Sequence, residues 1–348
     1  MSELAGFWKP LGKKEVSCFL CYRLCKINEG EKGYCHVRKN VDGKLYALNY
    51  GKAIAINVDP IEKKPFYHFM PGTESFSFST VGCNFRCDFC QNWEISQAYG
   101  GITGEDLPPK KIQKICNEQN IPGVAYTYTE PTIFMEYALD TAKLTMKDGR
   151  YNVFVTNGYM TTAAIVEMNK YIDASRIDLK GFHDEVYKKL CGDVELEYVL
   201  SSIKELHKRQ HIELINLIIP GYNDDEDDIR ASSKWVKELS ADIPMHFIGF
   251  YPANRMMKTP STALTTLKRA REIAIEEGLN YVYTGNRQDE DTESTYCPKC
   301  KEKVIKRFGF SVIENRLGKD GKCPGCGEKL NVIMDLEKYR KWKKERMD

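Results

Sequence analysis

Residues 75–94, SFSFSTVGCNFRCDFCQNWE, run a β-rich segment straight into a loop that carries Cys83, Cys87 and Cys90. A strand ending in a ligand-bearing loop is how parallel α/β folds build sites, because ligands bind beyond the carboxyl ends of the strands. Three thiolates leave any metal centre with an open position. That opening separates catalytic centres from closed structural ones, and an all-sulfur set at tight spacing suits an iron–sulfur cluster. The competing reading borrows a fourth cysteine from another part of the chain to complete a zinc site.

Outward from this stretch, GVAYTYT (123–129), YNVFVT (151–156), RIDLK (176–180), IELINLII (212–219), MHFIGF (245–250) and LNYVYT (279–284) read as further strands. Amphipathic runs lie between them. TTAAIVEMNKYI (161–172) and DEDDIRASSKWVKEL (225–239) place apolar residues three and four apart, and the second opens with the acidic residues that suit a helix N-terminus. This alternation predicts parallel βα units, and seven strands in one series predict a partial or full barrel. The strand ends are polar, reading Cys83, TYTEPT (127–132), TNGY (156–159), DLKG (178–181) and PGYND (220–224).

The 348-residue chain balances 51 basic against 49 acidic residues, so charge supplies no argument for a nucleic-acid or anionic-membrane partner. The N-terminus lacks the apolar run of a signal peptide and no window reaches membrane-span length, so the expectation is a cytoplasmic protein without membrane association. In such a compartment 13 cysteines point to metals rather than disulfides. Cys116 and Cys191 stand outside the clusters and are expected to be buried apolar thiols.

Two further cysteine sets flank the strand series. CPKC (297–300) and CPGC (323–326) make Cys297, Cys300, Cys323 and Cys326 a four-thiolate ribbon, for which structural zinc is the default and a rubredoxin-like iron the alternative. Cys18, Cys21, Cys25 and Cys35 form a second tetrad, and spacing does not choose there between zinc and an auxiliary iron–sulfur cluster. His36 beside it reads as incidental. The expected domains are a metal module at 1–70 with strands KLYALNY (44–50) and AIAINVD (53–59), a core at 71–286, and a zinc-ribbon-like module with a basic tail at 287–348. RQDEDTEST (287–295) reads as a linker and EKYRKWKKERMD (337–348) as a solvated helix end.

CNFRCDFC (83–90) has the CxxxCxxC pattern of radical S-adenosylmethionine (SAM) enzymes, with Phe89 as the aromatic before the last cysteine. More closely, the chain resembles the radical SAM member of the AmmeMemoRadiSam system, which is similar to pyruvate-formate-lyase activating enzymes. The resemblance is carried by GYCHVR (33–38), DPIEKKPFYHF (59–69), STVGCNFRCDFCQNWEISQ (79–97), YTYTEPTIFMEY (126–137), FVTNGY (154–159), IDLKGF (177–182) and IPGYND (219–224), with the cysteines of both tetrads. It implies an α/β fold, a partial (β/α)6 TIM-type barrel of the radical SAM type with small N- and C-terminal cysteine-rich metal modules. It also implies a [4Fe–4S] cluster on Cys83, Cys87 and Cys90, with SAM on the unique iron. Reductive cleavage would give a 5′-deoxyadenosyl radical that abstracts hydrogen from a substrate, in an anaerobic site supplied by a reductant such as ferredoxin or flavodoxin.

Carried over residue by residue, TYTEP (127–131) falls where the wider family has Gly-Gly-Glu, which assigns Thr129 and Glu130 to the methionine amino group. The two glycines are absent, and a helix-capping role for Thr129 ahead of Pro131 competes. Thr156, Asn157, Asp178 and Lys180 resemble cofactor-lining strand ends, with Lys180 facing the cofactor carboxylate or a substrate anion. Ile218 or Ile219 is expected against the adenine. FYPAN (250–254) does not match the histidine that activating enzymes carry after the sixth strand, and His246 reads as structural. Activation of a glycyl-radical protein is an analogy of fold and motif. Radical modification of a small metabolite, a peptide or an RNA is the alternative, and a non-catalytic zinc-ribbon scaffold is the reading from another class.

Overall fold

A computed structural model describes residues 3–97 and 100–346. The chain divides into two compact units, one from Met1–Asp59, Glu74–Ser175 and Glu197–Gln210, the other from Pro60–Thr73, Arg176–Leu196 and His211–Asp348. Both alternate strands with helices, so the α/β class expected from the sequence is the one found.

In the first unit, β1 (Glu74–Ser79), β2 (Gly123–Tyr126) and β3 (Tyr151–Thr156) pair in parallel, with Gly123 opposite both Ser75 and Tyr151. The SFSFS alternation of β1 explains its two faces. Phe78 packs 5.4 Å from the ring of Tyr126 and 5.1 Å from that of Tyr137, while Ser79 Oγ donates to the Ile54 carbonyl at 3.0 Å. Burying a phenylalanine in this way contributes about 1.5–3 kcal/mol. Helices α1 (Pro109–Glu118), α2 (Met135–Lys147) and α3 (Thr162–Met168) follow the strands. Thr161, the residue before α3, accepts from Ala164 N–H and donates through the same hydroxyl to the Phe19 carbonyl at 2.8 Å. The cap thereby ties the N-terminal segment to the third strand's helix.

That N-terminal segment is two small antiparallel sheets, Trp8–Gly12, Glu15–Cys18 and Lys26–Ile27, then Glu3–Leu4, Lys44–Ala47 and Arg38–Val41. Cys18 closes a strand and Cys35 precedes one. The cysteine loop after β1 lies against this segment at Gly82, whose φ is +101° and where a Cβ would come within 2.7 Å of Val37 and 2.9 Å of the Cys35 carbonyl oxygen. Only glycine meets both conditions.

After Pro60–Thr73, the second unit takes up the chain at Arg176, within β4 (Ala174–Asp178), and continues with β5 (His211–Ile218), β6 (Met245–Gly249) and β7 (Val282–Gly285). β5, β6 and β7 are parallel, with Leu214 opposite Met245 and Met245 opposite Val282. Helix α4 (Glu226–Leu239) starts where the acidic run predicts, its Asp225 cap accepting from Asp228 N–H at 2.9 Å. A three-stranded antiparallel sheet, Thr295–Tyr296, Lys303–Phe308 and Ser311–Asn315, and helix α5 (Leu336–Glu345) complete the unit.

Three expectations are corrected. The strand expected over 123–129 stops at Tyr126, because Tyr128 takes a positive φ of 63°. RQDEDTEST is no free linker: Glu290–Glu293 is a helical turn and Thr292 to Thr295 are buried. Its polar side chains find partners, with Thr295 Oγ1 taking Arg307 Nη1 at 2.7 Å and Ser294 Oγ taking Arg307 N–H at 3.1 Å. The basic tail is helical as expected to Glu345, but one face docks, since Tyr339 is buried and its hydroxyl accepts His211 N–H at 2.8 Å; residues 347–348 lie outside the described residues.

Gly82→Ala is expected to cost roughly 1–3 kcal/mol through the strained φ and the contact with the Cys35 carbonyl. A thermal melt reads this as a lowered midpoint, and an unchanged midpoint would contradict the close approach.

Candidate functional site

Cys83, Cys87 and Cys90 occupy an irregular loop between β1 and the helical turn Trp93–Ser96. Phe85 N–H donates to Cys83 Sγ at 3.3 Å, Cys90 N–H to the Cys87 carbonyl at 3.2 Å, and Gly82 N–H to the Ile95 carbonyl at 2.9 Å. Arg86 clamps the loop from outside. Its Nη1 donates to the carbonyls of Cys83 and Phe85 at 2.8 Å, its Nη2 to the Tyr34 carbonyl, and its Cζ lies 4.4 Å from the Tyr34 ring centre. Arg23 sits 4.0 Å over the same ring and donates to the Asn84 carbonyl at 2.9 Å. Phe89 is buried.

The ends of β2 and β3 converge on one carboxylate, Glu130, which is 3% exposed. Its Oε1 accepts from Thr132 N–H at 3.0 Å, Thr132 Oγ1 at 2.5 Å and Thr156 Oγ1 at 2.7 Å, and its Oε2 accepts from Asn157 N–H at 2.7 Å. Burial raises its pKa above the ordinary carboxylate value, against the lowering effect of those donors. The uneven sharing, three donors on one oxygen and one on the other, leaves Oε2 a lone pair for a further N–H. Asn157 in turn donates from Nδ2 to Asn84 Oδ1 at 2.7 Å and lies 4.0 Å from Cys83 Sγ. Glu130, Thr156, Asn157 and Cys83 are thus one connected group. Thr129 is next to it but does not cap the turn Pro131–Phe134: Glu130 does, while the Thr129 hydroxyl donates to the Thr80 carbonyl at 2.7 Å.

In the second unit, Asp178 is paired with Lys180 at 2.9 Å and with Arg176. Asn223 of PGYND joins the strand ends, donating to the carbonyls of Lys180 and Leu217 at 2.8 Å and accepting from Ile219 N–H at 2.6 Å. Ile218 and Ile219 are buried. Arg23, Tyr34, Asn84, Arg86 and Asn223 were not singled out from the sequence. Asn84 and Arg86 occupy spacer positions of the cysteine pattern, where position alone announces no chemistry.

The three sulfur sets differ in spacing. Cys297, Cys300, Cys323 and Cys326 hold their sulfurs all within 4.8 Å of one another, with Cys297 to Cys326 and Cys300 to Cys323 both at 3.6 Å. A tetrahedral ion with bonds of about 2.3 Å keeps its sulfurs about 3.8 Å apart, so this set fits a single metal ion. Matching knuckle turns hold it, Cys297 N–H to the Glu302 carbonyl and Cys323 N–H to the Glu328 carbonyl, each at 2.8 Å. Among the described residues no other three Cys, His, Asp or Glu side chains meet that 4.8 Å condition.

His246, read as structural from the sequence, donates from Nε2 to Glu213 Oε2 at 2.8 Å deep in the second unit. Glu213 also accepts from His211 Nε2 at 3.2 Å and from the backbone N–H groups of Tyr67 and His68 at 2.9 and 2.8 Å. Burial works to raise its pKa, but the histidine hydrogen bonds outweigh it and hold the carboxyl below the usual range. Burial lowers the His246 pKa and pushes His68 down to about 3. Cys116 and Cys191 are buried, as expected of apolar thiols.

The radical SAM superfamily, as a family, matches residues 77–232. The chain is 42% identical over 334 residues to an uncharacterized protein of Methanocaldococcus jannaschii, covering 95% of this chain and 99% of that one. It is 27% identical over 176 residues to pyruvate formate-lyase 1-activating enzyme of Escherichia coli, covering 49% of this chain and 70% of the relative. A solved domain of a pyruvate-formate lyase-activating enzyme from Bacteroides vulgatus aligns at 22% identity and a TM-score of 0.40, covering 47% of this chain and 99% of that one. Among the described residues no helix is long and apolar enough to cross a membrane.

Cys323 belongs to a buried cluster with Cys297, Val304 and Leu330, so Cys323→Ser is expected to lose one bound metal per chain and about 3 kcal/mol or more of stability. Elemental analysis and a melt check both. The depressed Glu213 pKa contributes stability above the unfolded carboxyl pKa of about 4.3, and that contribution is lost as pH falls further. Glu213→Gln should accordingly cost about 3 kcal/mol at neutral pH, with the deficit shrinking below about pH 4 in denaturant melts. A deficit independent of pH would contradict the charged state.

Proposed function

Because this chain belongs to the radical SAM superfamily, we propose that it is an oxidoreductase that cleaves SAM reductively and abstracts hydrogen from a substrate in the manner of glycyl-radical-enzyme activases. The observation that carries this is the connection of the open three-cysteine loop to a buried carboxylate with a lone pair to spare. A [4Fe–4S] cluster on Cys83, Cys87 and Cys90, with SAM bound, would supply one-electron cleavage of the sulfonium to methionine and a 5′-deoxyadenosyl radical.

The chain's own residues bind, orient and exclude water. Glu130 Oε2 offers its remaining lone pair to the methionine ammonium, and Thr129 stands beside it. Thr156 and Asn157, fixed by Glu130, shape the wall next to Cys83, and buried Phe89 shields the loop. Asp178 and Lys180 act as a pair at their own strand end, with Lys180 Nζ 2.9 Å from Asp178 Oδ2. In this reading 71–286 is the catalytic core, the C-terminal tetrad takes zinc, and a ferredoxin or flavodoxin supplies the electron. Similarity to activating enzymes supports a glycyl-radical protein as the substrate.

Anaerobically reconstituted and reduced protein is expected to form 5′-deoxyadenosine from SAM. Cys83→Ala, Cys87→Ala or Cys90→Ala should each abolish it, and Glu130→Gln should weaken SAM binding about 10- to 100-fold, the equivalent of a lost charged hydrogen bond. A fully loaded, reduced sample that makes no 5′-deoxyadenosine would rule the reading out. Incubation with candidate partners, followed by electron paramagnetic resonance, then tests for a stable glycyl radical.

A further inference from the structure

We propose that Cys18, Cys21, Cys25 and Cys35 hold a second [4Fe–4S] cluster rather than zinc, a conclusion that stands on the geometry of this tetrad alone. All four cysteines line one cavity, walled also by Leu20, Ile27 and Ile133 and by Arg23, Arg38 and Asn84. Among the described residues the mutual 4.8 Å spacing of the C-terminal sulfurs is not met by any three of these.

Two buried N–H donors in the wall have no partner, Arg38 Nε and Asn84 Nδ2. Leaving such groups unsatisfied is destabilising. A cubane resolves this, because its inorganic sulfides lie inside the cavity and accept N–H donors, whereas a zinc ion brings no acceptor of its own. The thiolates already receive others: Tyr34 N–H reaches Cys25 Sγ at 3.5 Å and Arg38 Nη1 reaches Cys18 Sγ at 3.9 Å. Arg38, 2% exposed, is an ion-paired cation held beside this anionic sulfur set by Glu136 and the Gly6 carbonyl. The wall is shared with the loop already described. Asn84 follows Cys83 in the chain, and Arg86 bridges the Cys83 and Tyr34 carbonyls.

The test is metal content and spectroscopy on the full chain after anaerobic reconstitution and removal of unbound iron. The unaltered protein should hold about eight irons and eight acid-labile sulfides, and C83A/C87A/C90A should keep about four of each. After reduction, that triple variant should give a paramagnetic signal that SAM does not change, while C18S/C25S should keep about four irons whose signal does respond. A folded triple variant without iron overturns the proposal. Should that variant fail to fold, the unaltered protein decides by itself: about four irons with two zinc ions per chain overturns the proposal, and about eight irons sustains it.

Discussion

A carboxylate withdrawn from water must find donors for its oxygens, and Glu130 finds them at the ends of two neighbouring strands. Thr132 belongs to the turn after β2, Thr156 and Asn157 to the end of β3, and each bond to a buried charge is worth about 1.5–3 kcal/mol. Through Asn157 the same network reaches Asn84, beside Cys83. The position of the cysteine loop over the strand ends therefore depends on this side chain. Gly82 supplies the other anchor, letting the loop backbone lie against the Cys35 carbonyl where a side chain does not fit.

Glu213 shows the contrasting solution. Four donors, two imidazoles and two backbone amides, are shared evenly over its two oxygens, so the buried charge is complete in itself. Glu130 has the same number of donors but crowds three onto one oxygen. Equal burial thus goes with an evenly shared carboxylate in the second unit and an unevenly shared one in the first.

The sulfur sets follow a parallel logic. Paired CxxC knuckles turn tightly and bring four sulfurs to the spacing of one tetrahedral ion. The other two sets lie in longer or irregular loops, and among the described residues they do not meet that spacing. Ligand type is shared by all three sets, and backbone geometry is what separates them.

Much of this was legible in the amino-acid order. The phenylalanine–serine alternation, the acidic start of 225–239 and the paired CxxC knuckles at 297–326 are local, and local periodicity and capping act within a few residues, so these features came out as expected. The strand end at Tyr126, the docked tail and the ordered 287–295 run were hidden. Each depends on a partner far along the chain: Tyr339 finds His211, Ser294 and Thr295 find Arg307. The sequence by itself determined the fold class, the family resemblance and which side chains can ligate metal. Only the tertiary structure decided that Glu130 rather than Thr129 caps the turn, that Asn84 and Arg38 face a common cavity with unsatisfied donors, and which sulfurs lie close enough for one ion. Burial and distance are properties of the packed chain, and no residue carries them alone.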